Sequence, residues 1–185
     1  YIILVAYYGI SDFYRPEIDA QAIYVIDTVV SKAPSEDDYL KVLYAARWLC
    51  DNTVYDETAL TMDMDTEWFW HAHGPLGVLL KNEGVCESYA KVFKILMNRF
   101  SIPCVIVSSE EHMWNYVKMP DGLWYMVDTT FADQTSGMYF KYILNPQPVG
   151  DKSHVEDDVF LYPLVSSGSY GNHSLDLLSG NTSAG

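Results

Sequence analysis

A chain of 185 residues, 49% of them hydrophobic, is long enough for one domain with a substantial core and too apolar to be disordered. Its 25 acidic residues against 11 basic ones give a formal charge of -14, which excludes nucleic acid and anionic membrane surfaces as partners. That charge is compatible with a cationic or amine-bearing substrate, and equally with plain solubility. Three cysteines, Cys50, Cys86 and Cys104, are too few and too odd in number for a disulfide framework. With no apolar run of about 18 residues, no membrane-spanning helix is expected.

The chain opens on "YIILVAYY", residues 1–8, which has no basic flank and no cleavage pattern and reads as a strand. Because the first residue is Tyr1, the chain is expected to be an excerpt or a processed product, with any signal peptide out of view. "YRPEIDAQAIYVIDTVVSK" reads as a helix with Pro16 in its first turn and Ile18, Ala22, Val25, Ile26 and Val29 facing inward. "SEDDYLKVLYAARWLCDNTVYD" reads as a second helix, with Ser35 and Asp38 as an N-terminal capping pair. Residues 56–83 read as irregular, rich in Asp, Trp and His. "IPCVIVSS", "HMWNYVKM" and "LWYMVD" read as strands, with "YFKYIL" as a further candidate. The Ser/Gly-rich residues 166–185 read as a flexible tail, leaving residues 1–165 as the domain. Helices first and strands afterwards imply an α+β fold, with helices packed on an antiparallel sheet.

"GVCESYAKVFKILMNRF", residues 84–100, lies between the irregular stretch and the strands. Val85, Tyr89, Val92, Phe93, Leu96, Met97 and Phe100 recur at helical spacing. Cys86 therefore sits in a first helical turn, where unpaired N–H groups and the helix dipole favour a thiolate. Glu83 and Glu87 oppose that with their charge. Cys50, in a helical pattern, and Cys104, in an apolar run, read as buried thiols, and whether they pair is left open.

A cysteine nucleophile needs a base and a group to orient that base. His112 opens one strand of the hairpin and Asp128 ends the other. A two-residue Asp-Gly loop would put them on opposite faces. A three-residue Pro120-Asp121-Gly122 loop pairs Met119 with Leu123 and makes His112 and Asp128 diagonal neighbours on one face, about 7–8 Å apart at the backbone. The turn chemistry favours the longer loop: Pro120 suits the second position of a type I turn, and Gly122 suits the left-handed residue that follows.

"GVCESYAKVF", "HMWNYV" and "GLWYMVDTTFAD", in that order and spacing, resemble the transglutaminase-like superfamily, whose papain-like fold carries a Cys-His-Asp triad. The resemblance spans roughly residues 20–163, including "NTVYD" and, more weakly, "YFKYIL" and "SHVEDDVFLYP", and is strongest to bacterial members. It implies that Cys86, at a helix N-terminus, is the nucleophile, His112 the base and then acid, and Asp128 the orienting group. Trp114 and Asn115 match a motif without an assigned role. Ser88 stands where the family has Gly. A second oxyanion donor beside the Cys86 N–H is sought among Trp70, His73 and Asn82.

The function so implied is a cysteine-dependent amide hydrolase or acyltransferase that works through a thioester on a protein or peptide substrate, with an amine as a possible acceptor. An extracellular or cell-surface bacterial setting goes with it. The rival is a catalytically silent module that holds a peptide or glycan on the same fold. No cofactor and no metal is expected. "HAH" at 71–73 has poor spacing for zinc, and "DMDTE" at 63–67 lacks the Gly and terminal Glu of a calcium loop. "NHS" and "NTS" would be glycosylation acceptors only in a eukaryotic secretory chain. Oligomeric state is not legible.

Overall fold

A computed structural model describes residues 16–34, 37–158 and 160–171. The strand expected at 1–8, Ser35 of the expected cap and residues 172–185 of the expected tail lie outside the described residues.

The architecture is α+β, with helices on one face of a four-stranded antiparallel sheet. Helix α1 is Pro16–Lys32 and α2 is Asp38–Asn52. The cap of α2 is Asp37, whose carboxylate accepts the Tyr39 N–H at 2.8 Å. The second helix ends at Asn52, the first residue of "NTVYD": Val54–Tyr55 leave it as strand β1, which pairs in parallel with β2, Glu83–Gly84.

Residues 56–83, expected to be irregular, are mostly helical. A 3-10 turn spans Glu57–Thr61, α3 spans Glu67–His73, and a π-type turn spans Gly77–Lys81. Each is too short to show a period in sequence, and side-chain caps hold the first two. Asp56 accepts the N–H groups of Thr58 and Ala59, and Thr66 accepts that of Phe69. The acidic "DMDTE" stretch is the turn before α3, with Asp63 accepting the Asp65 N–H at 3.1 Å.

The cysteine helix, α4, is Cys86–Arg99. It packs its buried stripe of Tyr89, Val92, Phe93, Leu96 and Met97 against α1, α2 and the sheet. The sheet holds β3 (Cys104–Ser108), β4 (Met113–Lys118), β5 (Trp124–Val127) and β8 (Ile143–Asn145), side by side in that order. Between β5 and β8 lie a short helix α5, Thr129–Ala132, and the small pair β6 (Asp133–Gln134) and β7 (Gly137–Met138). "YFKYIL" is a 3-10 turn, Phe140–Tyr142, before it becomes a strand.

Strand alternation divides the core. Val117, Tyr125 and Val127 face the helices. Val107, Trp114, Tyr116 and Met126 form a second cluster, covered by Tyr162 and Val165 from the chain after β8. That return segment is stitched on: Val165 bridges to Trp124, Asp157 N–H donates to the Ser108 carbonyl at 2.8 Å, and Ser166 N–H donates to the Trp124 carbonyl at 2.8 Å. Farther on, Tyr170 packs edge-on to Tyr125 at 5.3 Å.

Gly84 shows how tightly the approach to Cys86 is built. A Cβ there would lie 2.7 Å from Ser88 Cβ, 2.8 Å from Ser88 Oγ and 3.1 Å from the Ala72 carbonyl. Ser88 is itself fully buried, its hydroxyl between the Ala72 carbonyl at 2.6 Å and the Gly74 carbonyl at 2.5 Å. Gly84→Ala is therefore expected to destabilise the fold by about 1–3 kcal/mol, lowering Tm by about 2–4 °C for each of those kcal/mol. Thermal and urea unfolding of the variant check this, and an unchanged midpoint would show that the contact relaxes freely.

Candidate active site

The start of α4 is uncapped. Val85, in extended conformation at the cap position, has no side-chain oxygen to offer. The Val85 carbonyl accepts the Ser88 N–H at 2.9 Å, and no side chain at the cap takes the Cys86 N–H, which is thus left by the capping residue for an anion to use. The opposing charge of Glu87 is neutralised locally: its carboxylate is paired with Lys91, one turn on. Lys91 is nearly buried and also donates to the His73 carbonyl at 2.8 Å. Burial lowers the Lys91 ammonium from its ordinary value, while Glu87 and then Cys86 act to keep it charged.

His112 stands one residue before β4. A tight turn holds it: its N–H donates to Ser109 Oγ at 3.1 Å, and its carbonyl accepts the Ser109 N–H at 2.9 Å. The ring lies between Phe131, 4.6 Å away, and Trp114, 5.8 Å away, both stacked. Its Nε2 is 2.7 Å from Asp128 Oδ2. Cys86 acts on the same ring from the start of α4, and it and Asp128 both favour the ring's charged form. Burial alone would lower the ring's proton affinity, but the hydrogen bonds to Asp128 and Cys86 outweigh it and raise His112 to about 9.

The three-residue loop is what brings these groups together. Met119 N–H donates to the Leu123 carbonyl at 3.0 Å, and Gly122 adopts φ +83°. The resulting register pairs Asn115 with Val127 and Lys118 with Trp124. Asp128, fully buried, is both helix cap and histidine partner. Oδ1 accepts the Phe131 N–H at 2.9 Å, while Oδ2 faces His112. Burial would raise its carboxyl, yet the hydrogen bonds from His112 and His154 hold it below the usual range.

The other sequence candidates divide. Trp114 is buried against His112. Asn115, also buried, donates to the Ala90 carbonyl at 3.1 Å and so pins the cysteine helix to the sheet. Trp70 is half exposed on α3. His73 stacks on Phe69 at 4.0 Å, with Nδ1 2.9 Å from the Phe69 carbonyl. Asn82 is an exposed left-handed residue, φ 58°, that closes the π-type turn. Among the described residues, none of these last three is hydrogen-bonded to Cys86, His112 or Asp128. His71 of "HAH" pairs with Glu67.

Two residues near the site carry no signal in the periodicity. Tyr55 reaches it because β1 pairs Tyr55 with Gly84, two residues before Cys86. Its ring lies 6.4 Å from that of Tyr89, and Cys86 acts on its phenol. Burial first, and Cys86 second, push this phenol up to about 12, so it remains a donor. His154, fully buried, puts Nε2 2.9 Å from Asp128 Oδ2. His112, Asp128 and His154 bring potential ligand atoms within 4.8 Å of one another. The spacings about Asp128 are those of N–H···O bonds, and a metal ion would have to displace both protons.

The model of the transglutaminase-like superfamily matches residues 27–129, a stretch that contains Cys86, His112 and Asp128. The chain belongs to the transglutaminase-like superfamily. Among solved structures, a crystal structure of a TGase is similar, with a TM-score of 0.54 at 14% identity over 69% of this chain. A protein of Cytophaga hutchinsonii described as a "Putative Cysteine Protease" matches with a TM-score of 0.43 at 20% identity over 65% of this chain. This chain spans 36% of the first and 40% of the second. No curated protein matches. The superfamily assignment and the likeness to the TGase agree with the mixed helix and antiparallel-sheet architecture, in which the cysteine opens a helix as it does in papain-like cores. Among the described residues, no helix of this superfamily member is long and apolar enough to cross a membrane.

Proposed function

We propose that this chain is a cysteine-dependent amide hydrolase or acyltransferase acting on protein or peptide amides. The observation that carries it is the buried 2.7 Å bond from His112 to Asp128, with Cys86, at an uncapped helix start, acting on the same His112 ring. The Cys86 thiolate adds to the amide carbonyl. His112 gives its proton to the leaving nitrogen as the C–N bond breaks, and the acyl group remains as a thioester. Water or an amine then attacks, His112 takes the proton, and the thiolate leaves.

The Cys86 N–H and the Tyr55 hydroxyl are the two donors best placed for the oxyanion. Tyr55→Phe is expected to lower kcat by about 10²-fold with little change in KM, the signature of a contact made in the transition state. A variant with wild-type kcat would return the second donor to Trp70, His73 or Asn82.

The acid form of His112 supports acylation and is lost as pH rises through about 9. The alkaline limb of kcat/KM is therefore expected near 9, well above the ordinary histidine value of about 6.5. A limb near that ordinary value would overturn the thiolate–imidazolium pair.

Nothing in the sequence or the described site marks a second, amine-holding tunnel, so hydrolysis or deamidation is expected to exceed transamidation. Glutamine-bearing peptides incubated with a lysine analogue, with products read by mass spectrometry, test both steps. Mostly amine-linked product would overturn the hydrolytic preference. No product from any acyl donor would favour a silent binding module.

A further inference from the structure

The carboxylate of Asp128 is shared. Its Oδ2 lies 2.7 Å from His112 Nε2 and 2.9 Å from His154 Nε2, while Oδ1 takes the Phe131 N–H. His154 Nδ1 in turn lies 3.1 Å from Asp151 Oδ2. His154 is fully buried and belongs to the 3-10 turn Lys152–His154, which Asp151 caps through the Ser153 N–H. Its ring is boxed by Trp114 and Phe131, each 5.0 Å away and edge-on, with Tyr142 stacked at 6.2 Å. The titratable groups facing it are thus Asp128, Asp151, His112 and Tyr142.

A neutral imidazole has one N–H and one acceptor nitrogen. Both ring nitrogens of His154 face carboxylate oxygens, so a neutral ring would point a lone pair at an anion. Only the doubly protonated ring satisfies both contacts. From this geometry we infer that His154 is a buried imidazolium that positions Asp128 and shares its negative charge, making it a fourth, positioning member of the Cys86–His112–Asp128 set. The inference rests on the enzymatic reading above, since it concerns how that triad is tuned.

The chemical purpose follows from what His112 has to do. Asp128 must orient the ring and favour its charged form, yet His112 must still release its proton to a leaving nitrogen. A carboxylate bound only to His112 would hold that proton too well. A second cation on the same oxygen reduces the pull and locks the carboxylate rotamer, so that orientation is kept while basicity is moderated. His112 and His154 ring centroids are 5.4 Å apart, close enough for their charges to interact strongly in a buried site.

The test is side-chain NMR on protein with 15N-labelled histidine. At pH 7 both nitrogens of His154 are expected to carry protons in the wild-type chain. In His154→Gln, whose amide can still donate to Asp128 but carries no charge, the His112 titration midpoint is expected to move up by about one pH unit. One unprotonated His154 nitrogen in the wild type would overturn the proposal. So would an unchanged His112 midpoint in a folded His154→Gln variant. If that variant does not fold, the wild-type measurement decides alone. Neither readout uses turnover, so a failure here is separate from a failure of the hydrolase reading.

Discussion

Asp128→Asn should lower turnover by about 10²–10⁴-fold in a chain that still folds. Three donors converge on this carboxylate: the Nε2 atoms of His112 and His154 on Oδ2, and the Phe131 N–H on Oδ1. An asparagine has one acceptor oxygen and one NH2. With the oxygen toward the histidines, the NH2 meets the Phe131 N–H and the cap of α5 is lost, a cost of about 0.5–2 kcal/mol. With the oxygen toward Phe131, the NH2 meets two ring N–H groups, and His112 loses both its orientation and the charge that sustains its imidazolium. Either way the base suffers more than the fold. Steady-state kinetics beside urea unfolding separate the two, and turnover within a few-fold of wild type in a folded variant would remove Asp128 from the mechanism.

Cys86→Ala should abolish turnover, by a factor on the order of 10⁴ or more, while leaving peptide binding measurable. The complementary measurement is covalent. Acyl electrophiles should add to Cys86 and spare Cys50 and Cys104, whose thiols burial pushes up to about 12. All three cysteines are free, so each is available as its own control. Labelling of Cys86 no faster than of Cys104 would count against a nucleophile and for a binding module.

Much of this site is legible in the residues because local rules fix it. The stripe from Val85 to Phe100 places Cys86 at a helix start, and Pro120 with Gly122 selects the loop that sets the register. Gly122, at φ +83°, occupies the left-handed position the turn chemistry requires. What escapes is set by distance along the chain. Tyr55 arrives through a two-residue parallel strand whose partner lies 29 residues ahead, at Gly84, and two residues show no alternation. His154 meets Asp128 across 26 residues from within a 3-10 turn. A hint did exist: Asp151 and His154 stand three apart, the spacing of a capped turn, with His154 the second residue of the weakly matching run "SHVEDDVFLYP" and Asp151 two residues before that run begins. The helical turns of 56–83 were hidden for a related reason, since caps are visible in Asp56 and Thr66 but the turns run only five to seven residues, too few for a period to repeat.

The hairpin loop has a consequence for how this chain can vary. Surface turns ordinarily tolerate insertion and deletion, because the chain can absorb a residue without disturbing what it connects. Here Pro120-Asp121-Gly122 counts in parity. Sliding β5 by one place against β4 would carry Tyr125 and Val127 out of the helix-side core, bring Trp124 and Met126 into it, and turn Asp128 away from His112. A slide of two places would restore the faces but move the carboxylate a full pleat repeat, roughly 6–7 Å, along the strand. The length of an exposed three-residue turn is thus held as strictly as the identity of the buried residues it aligns. Natural length variation among relatives that keep the chemistry should fall elsewhere on the surface.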